Sequence, residues 1–347
     1  MKHETTLTPA AADDATRPTG AHGATISTRA FSVQVAWTLA ARVLMAANSV
    51  LTGVVVARKL GAEGTGALAV LNVTVAYAVQ IGSLGLVSAN TYFIAQDRRR
   101  LAPAWANSLA FGLVGGVALA LLTVWLASSA PHIFGDTPTR LVAVAALSIP
   151  FQLLTLLGLN VFLAVGRVAR FNLLDTLAQT LLPVNAVISL IIFGAGLWTL
   201  ITLNTAASIV VSICVVWMVA RYVRHERDER GSRNGVDAPL FASMMRYGMK
   251  IHAQTVASLL LFRVDLLVVK YFRGAAEAGV YAVATQVTLM LMLLPGVIAT
   301  LLFPRIAAEQ DARGALACLV TRHTAFVMLL ICLAAVPAVY ALPLLYG

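Results

Sequence analysis

An all-α membrane fold is predicted for this chain by three observations. It is 59% hydrophobic and only 12% charged, whereas soluble domains carry about 25% charged residues. Nine apolar runs punctuate it, each about 20 residues or longer and able to cross roughly 30 Å of hydrocarbon as a helix. One glycine phrase also occurs twice, 213 residues apart: Gly61-Ala-Glu-Gly-Thr-Gly66-Ala-Leu-Ala69 and Gly274-Ala-Ala-Glu-Ala-Gly279-Val-Tyr-Ala282. A repeat within membrane-grade sequence predicts two similar lobes.

Residues 1–30 are polar, rich in Ala, Thr, Pro and Gly, and without apolar period. They read as a disordered cytoplasmic tail. The first apolar run is too long for a signal-peptide core and no twin-arginine pair precedes it, so it is read as a retained helix. Runs at 31–57, 67–95, 105–127, 141–165, 171–193 and 197–220 make a six-helix N-terminal lobe, 31–220. The fifth and sixth are separated only by Gly194-Ala-Gly196. Together they are too long for one span, so a tight turn is predicted there. Residues 221–239 are the longest polar stretch after the tail and read as a cytoplasmic loop between lobes. Runs at 241–269, 280–303 and 324–345 form a partial, three-helix C-terminal lobe, 240–347. Pro183, Pro295 and Pro337 are expected to kink helices five, eight and nine. Six helices being even, the two lobes share an orientation, related by a pseudo-twofold along the membrane normal. His132-Ile-Phe-Gly135 aligns with Leu344-Leu-Tyr-Gly347, 212 residues on. By that register the chain ends three helices short of a whole second lobe.

The formal charge of +10 would suit a nucleic-acid partner, but its distribution follows membrane topology. With the N-terminus inside, eighteen Lys and Arg fall on inner segments. Five fall outside: Arg58, Lys59, Arg140, Lys270 and Arg273. The positive-inside rule then places the N-terminus in the cytoplasm and the chain in the cytoplasmic membrane as a multi-pass protein. Cys214, Cys318 and Cys332 have no metal spacing and suggest no disulfide framework. The six histidines show no zinc pattern.

Charge inside hydrocarbon is costly, about 2.5–3.5 kcal/mol for a central Arg, and marks function by default. Arg42 sits near the middle of the first run. Gln34, Thr38, Arg42, Ser49 and Thr52 follow one another at steps of four, four, seven and three, which places them on one helix face. The seventh run carries two polar faces: His252, Thr255 and Arg263 on one, Gln254, Ser258 and Asp265 on the other. Arg263 and Asp265 are about 200° apart and do not pair. The competing structural readings are inter-helix glue for Arg42, snorkelling to the interface for Arg263, and a structural salt bridge for Asp265. No P-loop, metal-spaced His/Glu pair or serine elbow occurs, so no enzyme is expected.

Several short motifs carry a family resemblance. Val55-Val-Ala-Arg-Lys-Leu-Gly61-Ala-Glu-Gly-Thr-Gly66 resembles the end of helix one in the polysaccharide flippase branch of the multidrug/oligosaccharidyl-lipid/polysaccharide (MOP) superfamily. Arg263-Val-Asp265 through Lys270, then Gly279-Val-Tyr281-Ala-Val-Ala284, is similar to its helix seven and eight signature. Leu302-Phe-Pro304-Arg305 and Leu345-Tyr346-Gly347 look like its exits from helices eight and nine. The resemblance covers about residues 31–347. It implies a two-lobe, MATE-like transporter of twelve or more helices. The implied substrate is an undecaprenyl-diphosphate-linked oligosaccharide, flipped by alternating access for polysaccharide biosynthesis.

On that resemblance Arg42 and Arg263, with Gln34, Thr38, Ser49 and His252, become candidate ligands of the lipid diphosphate. Arginine offers bidentate phosphate contacts. Asp265 becomes the candidate for H⁺ or Na⁺ coupling. No cofactor is implied. The implied partners are the lipid-linked oligosaccharide, membrane lipid and polysaccharide polymerase or assembly proteins, with no nucleic acid. The alternatives are a multidrug/cation antiporter of the same fold, a peptidoglycan lipid-precursor flippase, and a truncated membrane protein without transport. The first run has no acidic residue, whereas some multidrug members use an aspartate there, which weakens the antiporter alternative.

Overall fold

The computed structural model describes residues 28–130, 137–230 and 235–291, with scattered positions between 321 and 333. The regular structure among these residues is helical, without strands. The order is α1 (Thr28–Gly82), α2 (Leu86–Gln96), α3 (Leu101–Ser129), α4 (Thr139–Ala146), α5 (Ser148–Ala164), α6 (Val168–Ala186), α7 (Leu197–Arg230), α8 (Ala238–Arg273) and α9 (Ala275–Leu291). Among the described residues, five stretches are long and apolar enough to cross a membrane: Leu44–Gly82, Arg98–Ser129, Thr139–Ala164, Val168–Ile192 and Leu197–Glu226. Most of the predicted ninth run, the half of the eighth beyond Leu291, and the tail before Thr28 lie outside the described residues.

Where hydropathy predicts a polar loop over 58–66, the helix instead continues to Leu60 and breaks at one residue. Gly61 has φ 67° and ψ −173°, a conformation essentially restricted to glycine. Gly274, its repeat mate, ends α8 with φ 91° and ψ −176°. The two copies of the phrase thus make the same turn and start the next helix in the same phase.

These two helices then meet. A Cβ at Gly66 would collide with the Ala275 carbonyl oxygen and lie 2.9 Å from the Gly279 nitrogen. A Cβ at Gly279 would collide with the Ala62 carbonyl oxygen and lie 2.9 Å from the Gly66 nitrogen. Residue 66 meets 275, and 279 meets 62, so the contact is reciprocal under the 213-residue repeat. That is the signature of a local twofold. Only glycine lets two backbones approach this closely in a membrane helix pair.

The other helices lock through small residues and amide pairs. Cβ atoms at Gly112 and Gly116 would lie 2.7 Å from Leu154 and 2.5 Å from Pro150, so α3 and α5 run antiparallel in close contact. Asn90 and Ser108 exchange hydrogen bonds of 2.8 and 3.0 Å in a buried site. Asn185 donates to Asn204 at 2.9 Å, linking α6 to α7, and Asn48 donates to Thr180 at 2.9 Å, linking α1 to α6. Pro183 lies inside α6, near its end. Proline removes one helical donor, and the turn after it widens into a π-helical stretch, Val187–Ile192. Gly194, at φ 58°, closes the short connection to α7. One apolar core joins α1, α4, α5 and the start of α7. A second joins α2, α3, α5 and the end of α7.

The ends of the helices differ in charge. Arg98, Arg99, Arg100, Arg167, Arg170, Arg221, Arg224 and Arg246 cluster where α2, α5 and α7 finish and where α3, α6 and α8 start. Several rest on rings: Arg100 lies 5.6 Å from the Phe93 centroid, Arg167 4.9 Å from Tyr222, and Arg221 5.7 Å from Trp217. At this basic end Asn107 clamps the start of α8. Its side-chain N–H donates to the Asp237 carbonyl oxygen at 2.9 Å, and the Asp237 N–H donates back at 3.0 Å. The Asp237 carboxylate in turn caps α8 by accepting from Leu240 N–H at 2.9 Å.

Gly66→Val and Gly279→Val should each destabilise the purified protein by about 1–3 kcal/mol or more, the cost of overpacking against backbone that cannot yield. Gly196→Ala, where a Cβ meets nothing within 4 Å, should leave the melting temperature unchanged. Thermal unfolding in detergent, followed by size-exclusion fluorescence, reads the difference.

Candidate functional site

The helix after Gly61, together with α2, meets α8 and α9 along one seam. At its Gly61 end sits the reciprocal glycine contact. Further along, a small core forms from buried Val73, Leu266 and Ala278, with Tyr77 and Tyr281 packed on it. Asp265 of α8 is half-buried beside this core. Tyr281 of α9 donates its phenolic O–H to Asp265 Oδ2 at 2.6 Å, and the Leu266 N–H donates to Oδ1 at 2.8 Å. The carboxylate therefore ties α8 to α9 across the Gly274 turn. Among the described residues no ion pair with it is seen.

Towards the basic end the seam closes again on glycine. The helix begun at Ala62 breaks between Gly82 and Leu86. Leu84 has φ 44° and Gly85 φ 75°. A leucine in the left-handed region costs about 1–2 kcal/mol, so the surrounding packing must hold it there. It is held against α8: a Cβ on Gly248 would lie 2.8 Å from the Gly85 carbonyl and 2.9 Å from the Leu84 oxygen. One turn along α8, on the same face, His252 is 7% exposed. Neither of its ring nitrogens has a hydrogen-bond partner among the described residues. Buried polar groups are nearly always satisfied, so this imidazole is an available ligand at a strained helix break.

The polar residues of the seventh run that are described differ in their surroundings. His252 packs inward; Gln254 and Ser258 are exposed; Asp265 turns to α9. The stripe on the first helix is only partly described. Gln34, Thr38 and Arg42 lie on α1, and their side chains fall outside the described residues, as does that of Arg263. Ser49 is exposed. Thr52 donates to the Asn48 carbonyl oxygen at 2.8 Å, so this member of the stripe is spent on its own helix. Of the proposed diphosphate ligands, the described residues thus place the side chains of Ser49 and His252 alone.

Three features were not read from the pattern as functional. Tyr281 stood in a motif without a role, though its spacing from Asp265 across a glycine turn could have suggested a pair. Asn107 gave no signal, because an amide in an apolar run looks like ordinary packing. The break at Leu84-Gly85 was hidden inside one apolar run, marked only by the glycines at 82 and 85.

Comparison with known proteins adds the following. Residues 55–347 match a family model described as polysaccharide biosynthesis protein. No curated protein matches the chain. In fold it is similar to a solved structure called protein A, with TM-score 0.59 and 15% identity over 78% of this chain and 63% of that one. The chain thus spans less than two thirds of that structure. It is also similar to a proline-to-alanine mutant of a MATE protein, with TM-score 0.55 and 16% identity over 87% of this chain and 71% of that one. A third is a MOP superfamily transporter from Pyrococcus furiosus, with TM-score 0.51 and 14% identity over 82% of this chain and 76% of that one.

Tyr281→Phe removes the O–H that reaches Asp265. Hydrogen bonds to charged groups are worth about 1.5–3 kcal/mol, and this one is half-exposed, so a loss near the lower end is expected in detergent unfolding. Asp265→Asn keeps an acceptor for Tyr281 and should cost less.

Proposed function

The chain belongs to the polysaccharide biosynthesis protein family, and from that premise we propose that it is a transporter flipping a lipid-diphosphate-linked oligosaccharide across the cytoplasmic membrane. The observation that carries this reading is the reciprocal crossing of the two glycine phrases. A multi-pass helical protein of this family and MATE-like fold, with repeat-related helices meeting on a local twofold, has the parts for rocking one lobe against the other. The residues before the 221–239 connector form one lobe and those after it belong to the second. The basic end faces the cytoplasm by the positive-inside rule, and the N-terminus lies on that side.

The substrate class follows from the family and from charge. A diphosphate carried through hydrocarbon needs cationic donors, and Arg42 and Arg263 fall inside the apolar runs 31–57 and 241–269. They lie on α1 and α8, the first helices of the two lobes, so a diphosphate held between them would link the lobes. His252, an available buried imidazole, is a third donor on the α8 side, and Gln34, Thr38 and Ser49 line the α1 stripe. Asp265 is the coupling group. A proton or sodium ion on its carboxylate competes with the hydrogen bond from Tyr281, loosening α9 from α8 as the ion binds. The oligosaccharide would be handed on to polymerase or assembly proteins outside.

Reconstitution tests this directly. The full chain in liposomes, supplied with a fluorescent undecaprenyl-diphosphate oligosaccharide, should expose label to an external quencher. Arg42→Ala should slow this at least about tenfold, as expected for losing a charged hydrogen bond. Arg42→Lys should recover part of the rate. No flipping by the unaltered chain would overturn the reading; unimpaired flipping by Arg42→Ala would overturn the role given to Arg42.

A further inference from the structure

An open groove of about 670 Å³ lies at the basic end, between α2, α5 and the start of α8. Its size falls within the roughly 300–1,000 Å³ of small-molecule sites. Tyr92 and Tyr247 form one wall. Their rings stack at 4.3 Å with planes 14° apart. Phe93 braces both edge-on, at 5.3 Å from Tyr92 and 5.9 Å from Tyr247. The rest of the lining is polar at Ser88, Thr91, Gln96 and Asn160 and apolar at Val87, Ala95 and Leu163. Among the described residues, no charged side chain lines the groove.

We infer that this groove binds the neutral sugar residues of the substrate, a saccharide subsite separate from the diphosphate ligands. The inference rests on the transport reading for where such a sugar comes from. Its chemistry stands on the lining. A phosphate needs donors, usually cationic ones, and the lining holds no cation. An acyl or isoprenyl chain needs neither donors nor acceptors, and would leave four polar side chains facing hydrocarbon. A polyol needs both kinds at once. The Thr91 hydroxyl already donates to the Val87 carbonyl oxygen at 3.1 Å, so its lone pairs are left to accept. Asn160 spends one N–H on the Leu156 carbonyl oxygen at 2.8 Å, which leaves a second N–H and an amide oxygen. The weakly positive C–H face of a pyranose complements the negative face of an aromatic ring, and the braced tyrosine pair offers such a face without further ordering.

The surroundings agree. All three elements turn basic just past the groove: Arg98 follows Gln96, Arg167 follows α5, and Arg246 adjoins Tyr247. These charges lie beyond the groove and leave its lining neutral. Because the stack joins α2 to α8, the sugar is read where the two lobes meet.

Saturation-transfer NMR on the purified full chain in detergent tests this, with maltotriose, chitotriose and mannotriose as probes. At least one should show transfer to its ring C–H protons. The signal should fall roughly tenfold in Tyr247→Leu, the loss of an aromatic contact, and also in Asn160→Leu. Excess pyrophosphate should not displace it. Transfer to no trisaccharide, or transfer unchanged in both variants, would overturn the inference. So would displacement by pyrophosphate. Flipping of lipid-linked saccharide without trisaccharide binding would sink the groove and leave transport standing; trisaccharide binding without flipping would do the reverse.

Discussion

The contact on which the arrangement depends is backbone against backbone, at Gly66 and Gly279. Between helices in lipid there is no hydrophobic driving force of the kind that folds soluble proteins, and close packing must supply the attraction. A glycine in each helix supplies it here, and a glycine turn before each helix sets the phase. Gly61 and Gly274 share a conformation open to glycine alone, so each new helix starts at the same rotation. Five residues later the same face of each presents a glycine to the other. Register along the seam follows. Gly85 lies 19 positions beyond Gly66, about 28 Å at 1.5 Å per residue. The two glycine contacts are therefore separated by nearly the thickness of the hydrocarbon, and the Asp265–Tyr281 link sits between them.

The seam differs in kind from the rest of the bundle. Elsewhere the helices are tied by amide and hydroxyl pairs: Asn90 with Ser108, Asn185 with Asn204, Asn48 with Thr180. Those pairs cannot separate in hydrocarbon without leaving polar groups unsatisfied, at about 1–3 kcal/mol each. The seam is made of glycine contacts, a tyrosine stack and a small apolar core around Val73, Leu266 and Ala278. Glycine surfaces part without unlocking interdigitated side chains, and a stack loses little when it slides. Asn107 holds the first residue before α8 by two hydrogen bonds, so the start of that helix stays fixed while its length rests on the cheaper contacts.

Much of this was legible in the sequence, and the reason is periodicity. Apolar runs specify spans, the Gly194-Ala-Gly196 gap specified the turn between the fifth and sixth, and the repeated phrase specified which helices are related. That the two phrases touch was not legible, because a repeat states equivalence and says nothing of contact. The loop predicted at 58–66 failed for a related reason. Arg58, Lys59 and Glu63 look like a polar connector, yet one glycine in the right conformation turns the chain, and the charged residues remain on helix. The break at Leu84 was invisible because hydropathy averages over it. Asp265 was found by its charge, since a carboxylate in an apolar run stands out. Its partner Tyr281 was not, since an aromatic residue there is what packing alone would supply.

The distribution of arginine carries the last step. A basic end suggests anion recognition, but the described guanidinium groups are largely occupied. Arg98 donates to the Val165 carbonyl oxygen at 3.1 Å. Arg100, Arg167 and Arg221 lie over rings, and Arg100 also meets Asp97 at 3.6 Å. An exposed pair of that kind contributes about 0–1 kcal/mol, and cation–π contacts at exposed sites add a similar amount. These residues hold helix ends in place, and the orientation proposed for the chain accounts for their number. Selectivity must then come from groups that orientation does not require. At this end those are the uncharged ones: a stacked tyrosine pair and amides with hydrogen-bonding capacity to spare.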